Sequence, residues 1–174
     1  YKDFFAKEFL EKVNRISNSF LKFEGRFNKI GLGNRSFRNG TLFTADLLCK
    51  HDVFYELLAS SGLLKIPLKF FGNNGFIIRE FKIISSVQHK GFKYWWHRDH
   101  PYMYDPNARD VGIGVLVPLI DFNSEVGSTV LIPKSHLFEC MPSDLNVELP
   151  YPKSMQLNTK LGDVFIYNGR LIHS

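Results

Sequence analysis

The stretch Tyr94-Trp-Trp-His-Arg-Asp-His-Pro-Tyr102, "YWWHRDHPY", decides how the chain is read. Its His97-Arg98-Asp99 core begins like a protein-kinase catalytic loop. His-x-Asp at the end of a strand is equally two thirds of a non-haem iron site. A kinase also needs an Asn five residues past that Asp, a Gly-rich phosphate loop and a downstream Asp-Phe-Gly. Position 104 is Tyr, Ser36 stands where the third glycine of "GLGNRSF" should be, and "DFN" at 121–123 ends in Asn123. No Val-Ala-Ile-Lys strand precedes these, and 174 residues are too few for two kinase lobes. The kinase reading fails on each count.

The iron reading starts from strand geometry. Side chains alternate faces along an extended strand, so His97 and Asp99 project together while Arg98 points to the opposite side. One imidazole and one carboxylate can then share a metal, and a distant histidine completes a facial triad on Fe(II). The positions left open suit a chelating 2-oxo acid and O₂. Candidates for the third ligand are His51, His89, His100, His136 and His173. His51 precedes a helix, His89 lies in a Gly-bounded turn, and His100 has the wrong parity to share the face of Asp99. His136 follows Pro133-Lys-Ser135 in a turn that suits a capping or loop role. His173 ends "GDVFIYNGRLIHS", a turn followed by short strands, and is the choice.

Around this core, composition sets bounds. With 174 residues and 44% hydrophobic content the chain reads as one domain with a sizeable core. The 17 Phe, 7 Tyr and 2 Trp favour a sheet-rich interior. Cys49 and Cys140 lie far apart, which argues against a disulfide framework or a Cys-ligated zinc and fits a reducing, cytoplasmic compartment. No run of eighteen apolar residues is present, so no membrane span is expected. The chain opens on Tyr1, not Met, and reads as a segment of a longer product. The formal charge of +5 comes from scattered Lys and Arg, not from a basic block, which makes nucleic acid an unfavoured partner.

"YKDFFAKEFLEKVNRISNSFLKF" spaces Phe4, Phe5, Phe9, Leu10, Val13, Ile16, Phe20 and Leu21 as one apolar stripe of a helix. "GLGNRSFRNG" reads as a loop. "HDVFYELLASSG" reads as a second helix, with Asp52 a candidate N-cap and Gly62 a stop. From residue 75 short β-branched and aromatic runs follow: "GFIIREFKIISSVQ", "DVGIGVLVPLIDF", "GSTVLIP", "SMQLNTKLGDVFIYNG" and "RLIHS". Helical support over 1–74 and strands over 75–174 predict an α+β fold, with helices packed on the outside of a double-sheet barrel. The stretch from Leu137 to Met155, carrying Pro142, Pro150 and Pro152, reads as a surface loop.

Three stretches in this order carry a resemblance. "WHRD" looks like the Trp-His-x-Asp ligand strand of the phytanoyl-CoA dioxygenase-like family of Fe(II)/2-oxoglutarate oxygenases. "GSTVLIPKSH" is similar to that family's Asn-Gly…Pro-Gly-Ser-His segment. "GDVFIYNGRLIHS" resembles the strand pair that brings its second histidine. The resemblance covers residues 75–174 most clearly and implies a double-stranded β-helix (jelly roll, cupin-like), with His97, Asp99 and His173 matching the metal-ligand positions. It implies Fe(II), with 2-oxoglutarate and O₂ consumed, succinate and CO₂ released, and a substrate C–H hydroxylated. Related halogenases replace the carboxylate ligand by a small residue, so Asp99 favours hydroxylation.

The chain departs from the family pattern at Val126, which stands for Asn, and at Lys134, which stands for Gly. The family's Arg anchor for the far carboxylate of 2-oxoglutarate falls roughly ten residues after the distal histidine, a position beyond Ser174. Arg170 sits at an odd offset from His173 and faces away. Candidate cofactor-binding residues are Gln88, Tyr94 and Ser174, and Tyr102 and Tyr104 are candidates for the substrate mouth. Trp95 and Trp96, with Tyr94, also suit the sheet core. The leading expectation is a hydroxylase of a small molecule. Its rivals are a jelly-roll module that keeps the metal triad without turnover, and a nucleic-acid-modifying oxygenase.

Overall fold

A computed structural model describes residues 1–29, 37–38, 41–59, 62–72, 75–86, 96–99, 112–139, 141, 151 and 153–174. The chain divides into two compact units, Glu8–Phe92 and Tyr1–Lys7 with Lys93–Ser174. Both are mixed helix and sheet or sheet with short turns, and all strand pairs are antiparallel.

The unit Glu8–Phe92 is built on α1 (Lys7–Lys29), α2 (Asp52–Ala59) and α3 (Lys65–Phe71). Leu10, Val13, Ser17 and Leu21 are buried positions of α1, spaced three and four apart as one helical face requires. Phe54 of α2 is fully buried and meets Phe20 at 6.2 Å and Phe81 edge-on at 6.3 Å. The N-cap of α2 is His51 rather than Asp52: the Val53 N–H donates to His51 Nδ1 at 3.0 Å. An imidazole nitrogen can accept there as a short polar side chain would, and Asp52 falls within the first turn. Pro67 sits in the first turn of α3, where its missing N–H costs no hydrogen bond.

This unit also holds a three-stranded sheet, β1 (Phe37–Arg38), β2 (Thr41–Thr44) and β3 (Ile83–Ser86), in that order. Two of these strands lie in or beside the segment read as loop and helix from sequence. Phe37 pairs with Leu42 and Arg38 with Thr41, and the intervening Asn39-Gly40 is the dipeptide most typical of a tight hairpin. Of "GFIIREFKIISSVQ" only Ile83–Ser86 is a strand; 75–82 has no regular structure, and 87–88 lie outside the described residues.

In the other unit the first residues are not helical, contrary to the amphipathic reading that starts at Tyr1. Tyr1 donates its terminal amine to Val164 O at 3.0 Å, and the Phe4 and Phe5 N–H groups both donate to Gly162 O. Long-range backbone pairing outweighs local periodicity here, and α1 starts only at Lys7. Asp163 clamps the same junction, accepting the Lys160 N–H at 2.9 Å and the Asp3 N–H at 3.0 Å. These two donors hold its carboxyl below the usual carboxylate range. A depressed carboxylate stabilises the fold above its unfolded pKa and loses that contribution as pH falls through the folded value. Asp163→Asn is therefore expected to lower the thermal midpoint near pH 7, with the difference from wild type shrinking as pH falls below the usual carboxylate range. Equal midpoints at neutral pH would show the clamp to be idle.

Four segments follow one another across a single layer. The 97 segment bonds to the 173 segment, 173 to β5 (Val130–Leu131), and β5 to β6 (Met155–Gln156). A separate pair is formed by β4 (Ile113–Leu116) and β7 (Phe165–Asn168), and Phe122 bridges Thr159. Leu131, Leu157 and Leu171 form one core with Phe122, Phe165 and Tyr167. Ile132 and Ile172 form another with Trp96, Phe138 and Tyr151. Leu171 and Ile172 are neighbours in sequence yet belong to different cores, as alternation along an extended segment demands. Among the described residues no helix is long and apolar enough to cross a membrane.

Candidate metal centre

His97, Asp99 and His173 come from remote segments that the backbone holds in register. The His97 N–H donates to His173 O at 2.9 Å, and the His173 N–H returns the bond to His97 O at 3.0 Å. This bridge sets the two imidazoles side by side, with ring centroids 4.3 Å apart. The Asp99 N–H donates to Gly169 O at 3.1 Å. Gly169 belongs to a turn in which Asn168 does double duty. Its carbonyl accepts the Leu171 N–H and its side-chain oxygen accepts the Arg170 N–H, the local bonding that suits Asn to turns. That turn reverses the chain between β7 and His173.

The alternation expected of His97-Arg98-Asp99 is present. Arg98 is buried, and its Nη2 donates to the carbonyls of Ser135 (3.2 Å) and Phe138 (2.9 Å). His97 and Asp99 turn the other way, toward His173. One donor atom from each of the three residues can be chosen so that all lie within 4.8 Å of one another. His97 Nε2 is 3.9 Å and His173 Nε2 is 3.7 Å from the same oxygen, Asp99 Oδ1. Both separations are too long for a hydrogen bond.

The protonation of His173 follows from its surroundings. Its Nδ1 lies 2.9 Å from the Leu171 carbonyl, which can only accept, so Nδ1 carries the proton. The Nε2 lone pair is left facing Asp99. Burial holds its pKa below the usual histidine value, and neighbouring His97 pushes the same way; the Leu171 carbonyl and Asp99 oppose them without prevailing. At neutral pH the ring is uncharged, the form that ligates metals. The side chains grade outward, from 10% exposed for His173 to 37% for Asp99 and 53% for His97. The cluster is anchored at His173 and opens toward solvent at His97.

Two supporting residues have no counterpart in the sequence reading. The Tyr167 hydroxyl donates to Asp99 Oδ2 at 2.8 Å, and its ring stands edge-on to His173 at 5.1 Å. Ser135, fully buried, accepts the Ile172 N–H on its Oγ at 2.7 Å, while its carbonyl takes the Arg98 guanidinium. It thus ties the segment before His173 to the segment between His97 and Asp99. The Pro-x-Ser-His spacing marks Ser135 in the sequence, but only as part of a turn.

Lys134, the departure from the family's glycine, sits at φ 64°, ψ 4°. A left-handed backbone is the reason glycine suits the position. Lys134→Gly is expected to stabilise the protein by about 0.5–1 kcal/mol, the steric relief less the added unfolded-state entropy. A lower thermal midpoint in this variant would contradict that.

Ser174 pairs through its backbone with Val130 at 2.8 Å in both directions, and its buried Oγ has no hydrogen-bond partner among the described residues. His136 lies in the single turn Ser135–Leu137, and His51 caps α2. Gln88, His89, Tyr94, Trp95, His100, Tyr102 and Tyr104 fall outside the described residues.

The donor set fits a borderline divalent metal. His97 Nε2 and His173 Nε2 converge on one carboxylate oxygen at separations too long for a hydrogen bond, an arrangement that a cation can bridge. Two nitrogens and one oxygen leave half of an octahedral shell for other ligands, which suits Fe(II) in oxygenases. Comparison with protein families agrees. The model of the family Phytanoyl-CoA dioxygenase (PhyH) matches residues 3–174, nearly the whole chain. Its members are in general Fe(II)- and 2-oxoglutarate-dependent oxygenases. On that match, the chain belongs to the phytanoyl-CoA dioxygenase family.

Proposed function

We propose that this protein is an Fe(II)- and 2-oxoglutarate-dependent dioxygenase that hydroxylates a small molecule and releases succinate and CO₂. The observation that carries the reading is the convergence of His97 Nε2 and His173 Nε2 on one oxygen of Asp99. These three residues would hold the iron, which when bound supplies oxygen activation. The rest falls to the chain's own groups. The Leu171 carbonyl keeps the proton of His173 on Nδ1. The Gly169 carbonyl and the Tyr167 hydroxyl orient Asp99, and the exposed flank at His97 is where co-substrate and substrate would enter.

The whole chain is read as one oxygenase domain with a jelly-roll core. Support comes from the pairing pattern: early segments pair with late ones, 97 with 173 and β4 with β7, and 173 joins β5 and β6 in turn. Pairing of early with late segments is what a double-stranded β-helix would require. Gln88, Tyr94 and Ser174 remain the proposed contacts for 2-oxoglutarate, and Tyr102 and Tyr104 those for substrate. Asp99 at the carboxylate position favours hydroxylation over halogenation.

Anaerobic titration of the full-length protein with Fe(II) and 2-oxoglutarate tests this. A visible charge-transfer band that requires both additions is expected. Iron binding without that band would leave a metal-binding module, and folded protein that binds neither would end the oxygenase reading.

A further inference from the structure

We infer that Tyr167 is the positioning residue that makes Asp99 a one-oxygen ligand, and that Gly114 is the notch that admits its ring. The inference rests on the metal reading above and adds to it. A carboxylate can bind a metal through one oxygen or both. Here the two oxygens of Asp99 have separate duties. Oδ2 accepts the Tyr167 hydroxyl at 2.8 Å, and Oδ1 faces both imidazoles. A phenol hydrogen held on Oδ2 draws charge from it and disfavours its swing onto the metal. One coordination position is thereby kept for co-substrate or oxygen.

The ring is held on several sides. Phe165 stacks on it at 5.8 Å and His173 meets it edge-on at 5.1 Å. Across the β4–β7 pair, Gly114 stands directly opposite Tyr167. A Cβ at position 114 would overlap Cζ, Cε1 and Oη of the tyrosine, so no residue but glycine admits this ring position. Glycine weakens a strand interior, and its presence inside "GIGVL" is explained by that close approach. Packing alone would be served by phenylalanine. The hydroxyl is what reaches Asp99.

Anaerobic titration of the full chain with Co(II), followed by its visible d–d bands, separates the roles. Tyr167→Phe is expected to weaken Co(II) binding roughly 10–100-fold, the range for lost outer partners of a ligand. Its band at saturation should also shift, as a second carboxylate oxygen takes the place of a water in the coordination shell. Gly114→Ala, which expels the ring, should move both readouts the same way. The double variant should weaken binding no more than the worse single change, because both act through one hydrogen bond. A purely structural role would lower the thermal midpoint of metal-free protein without altering the saturated spectrum. If Tyr167→Phe matches wild type in either affinity or spectrum, the inference falls and the metal reading stands. If wild type takes up no Co(II), both fall together.

Discussion

Asp99→Ala is expected to abolish stoichiometric metal binding and 2-oxoglutarate-coupled oxygen consumption while the protein remains folded. The loss should exceed the roughly 10–100-fold that follows removal of an outer partner, because Asp99 is the only carboxylate of the cluster among the described residues and its Oδ1 faces both imidazoles. The fold should survive, since the side chain is 37% exposed and the backbone bond from Asp99 N–H to Gly169 O needs no carboxylate. Equilibrium metal titration and coupled oxygen uptake, with a thermal melt as control, make the measurement. Retained coupled turnover in this variant would refute the assignment of Asp99.

The second large effect concerns a residue that touches no metal. Ser135→Ala should cost about 1–3 kcal/mol, because it strands the buried Ile172 N–H, whose partner at 2.7 Å is the Ser135 hydroxyl. In a chain of this size each kcal/mol moves the thermal midpoint by about 2–4 °C. Metal affinity should fall as well, because Ile172 immediately precedes His173 and Ser135 O also receives Arg98, which lies between the other two donors. A melt and a metal titration on the same preparation distinguish the two consequences. A lower midpoint with unchanged affinity would make Ser135 a packing residue only; an unchanged midpoint would mean that the buried hydrogen bond contributes nothing.

The parts of the site legible in sequence are those governed by strand alternation. His97 and Asp99 share a face and Arg98 takes the other because period two is a property of any extended backbone. The distal histidine was harder, since nothing local links position 173 to position 97, and the choice rested on the strand-turn-strand pattern of "GDVFIYNGRLIHS". Tyr167 escaped notice for a physical reason. In the sequence it is one more aromatic residue in a strand, and its role depends on register with Gly114 some fifty residues away. A glycine inside an otherwise apolar strand is the sequence signal of such a close approach.

Elsewhere, tertiary bonding overrode local pattern. The apolar stripe beginning at Phe4 looked helical from its first turn, yet Tyr1, Phe4 and Phe5 spend their backbone groups on residues 162–164. The β1–β2 hairpin was legible in Asn39-Gly40 but was hidden by a Gly- and Asn-rich context that also describes a loop. α3 falls within the helical support expected over 1–74, with Pro67 tolerated in its first turn.

The central claim is that His97, Asp99 and His173 hold a single divalent metal. X-ray absorption at the iron edge, on anaerobic full-length protein loaded with Fe(II), tests it most directly. One iron per chain is expected, with outer-shell scattering from two imidazoles that falls to one in His173→Ala. Iron bound with no imidazole scattering, or a spectrum unchanged by His173→Ala, would contradict it.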